Sequence, residues 1–258
     1  MTLRAASTVD DAPGLDVRSV GFTPVKGTRH LPRPDASFDV DGPVGDRLYC
    51  LVDTARRRVL KTVQTPSLLA VVADLDGPSL ALTTPDGVTV RAVPEPTGEA
   101  FVCDYWGRPV TLSLLAGPHA GLLSRWLGRP VRLALAPRGG VVYGAPVTIV
   151  ATASLRDLGD RAGHPDLVAE ASRFRATFVV ETETPYVEET WSGHEVVANG
   201  VRLRVGAPVP RCAVVDLEPC TGRRGSGLLK ALAGYRPRND AGEPYLGVYA
   251  EVVAAPTR

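Results

Sequence analysis

Proline and glycine punctuation constrains this chain more than any other feature. With 23 Pro and 26 Gly among 258 residues, few uninterrupted stretches can hold a long helix. Between the breaks lie short β-branched and apolar runs, at residues 17–22, 48–53, 59–62, 68–73, 80–83, 88–92, 131–135, 147–151, 178–181, 201–205, 212–215 and 248–253. Short runs at such spacing predict barrels or curled sheets. Helical patterning is rarer. Leu122, Leu123, Trp126 and Leu127 share one face of a helix over 119–127. The segment from Ser154 to Asp157 reads as a capping box that starts a short helix. Residues 165–173 and 228–235 are two further candidates, the latter closed by Arg236-Pro237. The expected fold is mainly β with some helix, an α+β chain built from a barrel-like N-terminal unit and a second β-barrel. A turn-rich linker at 94–98 marks the boundary. The expected division is a disordered lead-in at 1–14, a first unit at 15–95 and a second at 96–258.

Composition removes several function classes. Hydrophobic residues make up 44% and charged residues 22%, ordinary values for a globular protein. No apolar run approaches the roughly 20 residues of a membrane span. The N-terminus lacks the apolar core of a secretion signal, which points to the cytoplasm. A net charge of +1 gives no global pull toward nucleic acid or lipid. The four cysteines, Cys50, Cys103, Cys212 and Cys220, form no CxxC pair, and a cytoplasmic setting argues against a disulfide framework. Cys50 and Cys103 lie in apolar strand-like runs and read as core residues.

Five segments carry residues suited to chemistry. Lys26 and Gly27 follow a strand within Thr23-Pro24-Val25-Lys26-Gly27-Thr28-Arg29, where cations, amides and hydroxyls can hold an anion. Arg47 stands at the entry of the 48–53 run. Thr152, Ala153 and Ser154 sit where a strand meets a helix, and helix-start amides bind phosphate. Arg175 precedes the 178–181 run. Arg211 precedes Cys212, and a neighbouring cation favours the thiolate that ligates metal or attacks sulfur. Each segment taken alone also has a plain structural reading: a basic turn, an Asp-Arg surface pair, a helix cap, a solvated arginine, a small core residue.

In this order the five resemble the MOSC family, named for the C-terminal domain of molybdenum cofactor sulfurase. Thr23-Pro24-Val25-Lys26-Gly27 is similar to its Tyr-Pro-Val-Lys-Ser/Gly signature, and Gly45-Asp46-Arg47-Leu48-Tyr49 to its Gly-Asp-Arg-Trp/Phe strand start. The stretch from Val147 to Leu155 resembles the strand and Ser/Thr-rich turn that opens its MOSC half, and Phe174-Arg175-Ala176-Thr177 resembles its Phe-Arg-Pro-Asn strand. Arg211-Cys212, followed by Asp216, Pro219 and Thr221-Gly222, resembles its Arg-Cys segment. The resemblance to the amidoxime-reducing branch implies a molybdopterin between two β-rich units. Cys212 would ligate molybdenum. Lys26, Gly27, Arg47, Arg175 and Arg211, with Thr152, Ala153 and Ser154, would hold the cofactor. It implies reduction of an N-oxygenated small molecule, with electrons from a separate protein, since no flavin or iron–sulfur motif is present.

Departures include Gly27 where the amidoxime-reducing branch commonly has Ser, Ala176 for Pro and Thr177 for Asn. The chain ends at Arg258, where relatives usually continue with a final strand; the expected consequences are an unpaired edge, an open site or a dimer in place of a monomer. Two other functions stay open. A cofactor-free sulfur-transfer or C–S-cleaving enzyme would use Cys212 as nucleophile or persulfide carrier, with Cys220 folded back to resolve it. A non-catalytic module would only bind an anion or cofactor.

Overall fold

A computed structural model describes residues 12–256. It is mainly β with three helices. The first strands are β1 (Gly14–Leu15), β2 (Val17–Phe22), β3 (Leu31–Pro32), β4 (Phe38–Asp39), β5 (Gly42–Pro43), β6 (Tyr49–Asp53) and β7 (Arg58–Val59). Next come β8 (Val72–Asp76), β9 (Ser79–Thr83), β10 (Thr89–Ala92), β11 (Glu95–Tyr105), β12 (Arg108–Ala116) and β13 (Arg132–Leu135), with helix α1 (Pro118–Leu127) before the last. The remainder holds β14 (Val147–Ala151), α2 (Thr152–Ala162), β15 (Phe178–Val180), β16 (Glu195–Ala198), β17 (Val201–Pro210), α3 (Leu228–Tyr235) and β18 (Tyr245–Ala254).

Two sheets position the site. A small closed barrel runs β11-β12-β13-β6-β7, and an eight-stranded sheet runs β1-β16-β17-β18-β14-β15-β2-β3. Neither respects the expected division at residues 95 and 96. The barrel takes β6 and β7 from one side and β12 and β13 from the other, with β11 starting at the boundary itself. The large sheet takes β1 to β3 from the N-terminal end; β2 pairs antiparallel with β15, Phe178 opposite Val20. Of the lead-in expected at 1–14, residues 1–11 lie outside the described residues, and Gly14 already pairs in parallel with Val197.

Alternation explains the barrel. Along β12, Val110, Leu112 and Leu114 point inward while Pro109, Thr111 and Ser113 face out. Cys50, Val52, Cys103 and Tyr105 fill the interior beside them. Cys50 and Cys103 thus take the core role their sequence context predicts, and burial pushes the Cys50 thiol up to about 12. Helix α1 starts at Pro118, which needs no N–H there, and ends at Gly128 in the left-handed conformation. Its Leu122 and Leu123 join a second cluster with Leu51, Leu80 and Leu82. Each such side chain contributes about 2 kcal/mol on burial.

Several local expectations are corrected. The supposed linker at 94–98 is the start of the longest strand, β11. The run at 68–73 opens as a 3-10 turn, Pro66–Ala70, because Pro66 presets a turn rather than a strand. Residues 165–173 form turns ending in the 3-10 segment Ala171–Phe174, not an α-helix. The run at 212–215 is a 3-10 turn, Ala213–Asp216. The C-terminal strand β18 lies between β14 and β17 near the middle of the sheet, so no unpaired edge arises there. Among the described residues no helix is long and apolar enough to cross a membrane.

Candidate functional site

The segment after β2 turns tightly on itself. Thr23 and Thr28 hydroxyls share a 2.6 Å hydrogen bond, and the one that accepts in that pair donates its own proton to the nearby Val25 carbonyl. It then pairs with the approach to β6: the Lys26 amide donates to Tyr49 O, the Arg47 amide to Thr23 O and the Tyr49 amide to Pro24 O. That pairing sets Lys26 beside Arg47. The Arg175 guanidinium donates to Thr28 O at 2.8 Å, which adds a third cation from the far half of the sequence. Arg47 and Arg175 both carry positive φ, 46° and 53°. A non-glycine residue held there costs on the order of 1–2 kcal/mol and persists only where surrounding structure fixes it.

The C-terminal half contributes Arg211 and Cys212. Arg211 is buried; it donates through Nε to Leu246 O and through Nη1 to Phe174 O. Its Nη2 is buried and has no hydrogen-bond partner. Gly247, at φ +74°, permits this approach, since a Cβ there would lie 3.1 Å from that nitrogen and 2.5 Å from Ile149 O. Cys212 is extended, half-buried, and begins the Ala213–Asp216 turn. Buried Arg173 holds the turn by donating to Val215 O and Leu217 O, with Glu170 as its ion-pair partner.

These residues meet in one cavity of about 210 Å³ between barrel and sheet, lined by Lys26, Gly27, Arg47, Arg175, Arg211 and Cys212 among others. The volume is many times what a single water or small ion needs. Lys61, Tyr105, Trp106, Tyr143, Arg173, Glu243 and Tyr249 also line it. Sequence reasoning assigned none of these a role. The available signal was the Trp106-Gly107 dipeptide between two alternating runs, a hairpin cue weakened by the absence of Asn or Asp.

Thr152, Ala153 and Ser154 do not line the cavity. All three are buried at the start of α2, which begins at Thr152 with no side-chain cap. Glu188, buried, accepts from the Ala151 amide and the Ser154 hydroxyl, while Glu181 accepts from Thr152. A carboxylate from the chain itself therefore occupies the helix start, and Ser154 serves it rather than a capping box. Cys220 is exposed on a turn in which the Glu218 amide donates to Arg223 O, and it lines no part of the cavity. A resolving role for it is not supported.

Electrostatics decide what the cavity accepts. Among the described residues, six cations and one carboxylate, Glu243, line it. Arg47 pairs with Asp46 and Arg173 with Glu170. Among the described residues, Lys26, Lys61, Arg175 and Arg211 have no carboxylate within ion-pair distance. Burial, with Arg47 and Arg175 close by, drives the Lys26 amine down to about 7. Burial lowers Arg175 and Arg211 to about 10, so both stay charged at neutral pH. Buried charges without counter-ions are costly, and an incoming anion relieves that cost. No group of three or more His, Cys, Asp or Glu among the described residues is placed to hold a metal. A metal here would have to bring most of its own ligands and take one from Cys212.

A small barrel set against a larger sheet, with a cavity between them lined by cations and a thiol, defines a β-rich protein whose cavity charge suits an anion. Residues 130–257 match the MOSC domain. It is similar to the molybdenum cofactor sulfurase of Aspergillus niger, 24% identical over 317 aligned positions that cover 91% of this chain and 38% of that protein. The molybdenum cofactor sulfurase of Aspergillus oryzae is 22% identical, over 82% of this chain and 34% of that protein. The chain therefore spans less than two fifths of the length of these relatives. A solution structure from Bordetella bronchiseptica matches 42% of this chain and 92% of its own, at 16% identity and a TM-score of 0.31.

Proposed function

We propose that this cavity binds the molybdenum cofactor, with Cys212 presented to the metal. The observation that carries the reading is the set of four cations without carboxylate partners, Lys26, Lys61, Arg175 and Arg211, around one half-buried thiol. Lys26, Arg47 and Arg175 would hold the phosphate and pterin, and the free Nη2 of Arg211 would donate to an acceptor on the same group. The metal, when bound, would supply two-electron redox chemistry. The chain's own residues orient the group, limit water and hold charge. The reaction we favour is reduction of an N-oxygenated small molecule, with a separate electron-transfer protein as donor.

The test is metal and pterin analysis of protein made in a cofactor-competent host. Molybdenum and pterin at about one per chain are expected, with molybdenum lost and pterin retained in Cys212→Ser. Wild-type protein that carries neither would overturn the reading. A second reading gains support from the names of the two Aspergillus relatives: Cys212 carries sulfur as a persulfide. It predicts labile sulfur on Cys212 in metal-free protein, released by a thiol reductant and absent from Cys212→Ser.

A further inference from the structure

Strand β11 turns into β12 through two residues only. Tyr105 pairs with Arg108, leaving Trp106 and Gly107 as the loop. Both have positive φ, 55° and 77°, the signature of a type I′ turn. Asn or Asp is the usual first residue, because its short side chain tolerates that conformation; a Trp there is an outlier. Trp106 is also 47% exposed, so core packing does not account for it.

Its surroundings point to a use. Trp106 lines the mouth of the cationic cavity together with Tyr143, itself 52% exposed. Their rings meet at 59° with centroids 5.5 Å apart, a corner of two π-surfaces with no slot between them. The Arg108 guanidinium donates to Val142 O at 2.9 Å and so fixes the Tyr143 loop against the hairpin. The Lys61 ammonium stands 3.7 Å from the Trp106 ring centroid, and its charge has no carboxylate partner among the described residues. Two exposed aromatic rings and an unneutralised cation thus share the entrance.

We propose that Trp106, Tyr143 and Lys61 form a recognition subsite for a flat aromatic or heteroaromatic ring that carries a negative group. The ring packs on the corner, and Lys61 takes the charge. This specifies the substrate class for the cavity of the proposed function and rests on that reading. Stacking contacts of this kind contribute about 1 kcal/mol beyond burial, so selectivity for a planar ring over a saturated one should be several-fold to tenfold.

The test compares 2-naphthoate with decahydro-2-naphthoate, equal in charge and similar in size, on the full chain made in a host that supplies no cofactor, so that the deeper cations are open. Sulfate serves as a separate probe of the deeper cations. We expect 2-naphthoate to quench tryptophan fluorescence and bind five- to tenfold more tightly than its saturated counterpart. Trp106→Ala and Tyr143→Ala should each bring the two acids within twofold while leaving sulfate affinity unchanged, which also certifies folding. Lys61→Met should weaken both acids alike. Equal affinity of the two acids for wild-type protein, or preference kept in both aromatic variants, overturns the subsite. If sulfate fails to bind while the preference persists, the anion-cavity reading fails and the subsite stands.

Discussion

Lys26 is the residue whose charge state links the cavity to pH. Its amine titrates near 7 in the folded protein against about 10.4 in a free chain. Between those values the unfolded state holds more protons, so this group makes stability rise with pH from about 7 to 10 and leaves the burial penalty fully in place below 7. An anion favours the charged amine, so binding takes up a proton near neutrality. Sulfate, which does not titrate in this range, should bind more weakly as pH rises above 7. Calorimetry in buffers of different ionisation enthalpy should show the uptake, and Lys26→Met should abolish it. Trp106 makes a complementary prediction. Trp106→Asn relieves a left-handed backbone that only Asn or Gly adopts easily, and should raise stability by about 1 kcal/mol in a thermal melt. Such a gain, paired with lost ring selectivity, is the pattern expected where strain serves a site. Among the described residues, three of the six non-glycine residues with positive φ, Arg47, Trp106 and Arg175, line the cavity.

Among the elements, the start of α2 rests on one buried carboxylate. Removing it by Glu188→Ala leaves the Ala151 amide and Ser154 hydroxyl without their acceptor. The expected loss is about 2–3 kcal/mol, read from the midpoint of urea unfolding with an unchanged slope. Residues near the turn could not have announced this partner, because Glu188 lies 34 positions beyond Ser154 and arrives only through tertiary packing. The same distinction separates what the sequence disclosed from what it hid. Strands β2 and β14 and helix α3 follow from periodicity and punctuation that are wholly local. The β11 strand was hidden by Pro96 and Gly98, which look like a linker; its pairing with β12 shifts register between Pro96 and Ala100, so the sheet absorbs them as an irregularity. Lys26, Arg47, Arg175 and Cys212 were legible through family-like motifs. Trp106, Tyr143 and Lys61 were not, since nothing near them in sequence signals that a hairpin tip, a connecting loop and a post-strand turn meet at one entrance.

At the scale of the whole molecule, the MOSC-matched stretch is not a self-contained body. Residues 130–257 contain β13, which belongs to the small barrel, and lack β2, which covers the edge of β15. A turn from the C-terminal half also packs against the N-terminal half. Gly222, at φ +75°, sits so close to Pro66 that a Cβ would fall 2.0 Å from its carbonyl oxygen. Arg29 clamps the same junction by donating to Leu69 O, Ala70 O and Cys220 O. Gly222→Ala should therefore destabilise the protein by several times the ~1 kcal/mol typical of a point substitution, measurable as a fall in melting temperature of the full chain. A fragment of residues 130–258 should be insoluble or dimeric by size-exclusion chromatography, its bare strand edge seeking a partner.

The interleaving of β2 with β15 has a consequence for inheritance. Cys212, Arg175 and Arg211 travel on one side of residue 130, whereas Lys26, Arg47 and Lys61 travel on the other. Any recombination event that grafted the C-terminal stretch onto a different neighbour would transplant the sulfur without half of the cations that line its cavity.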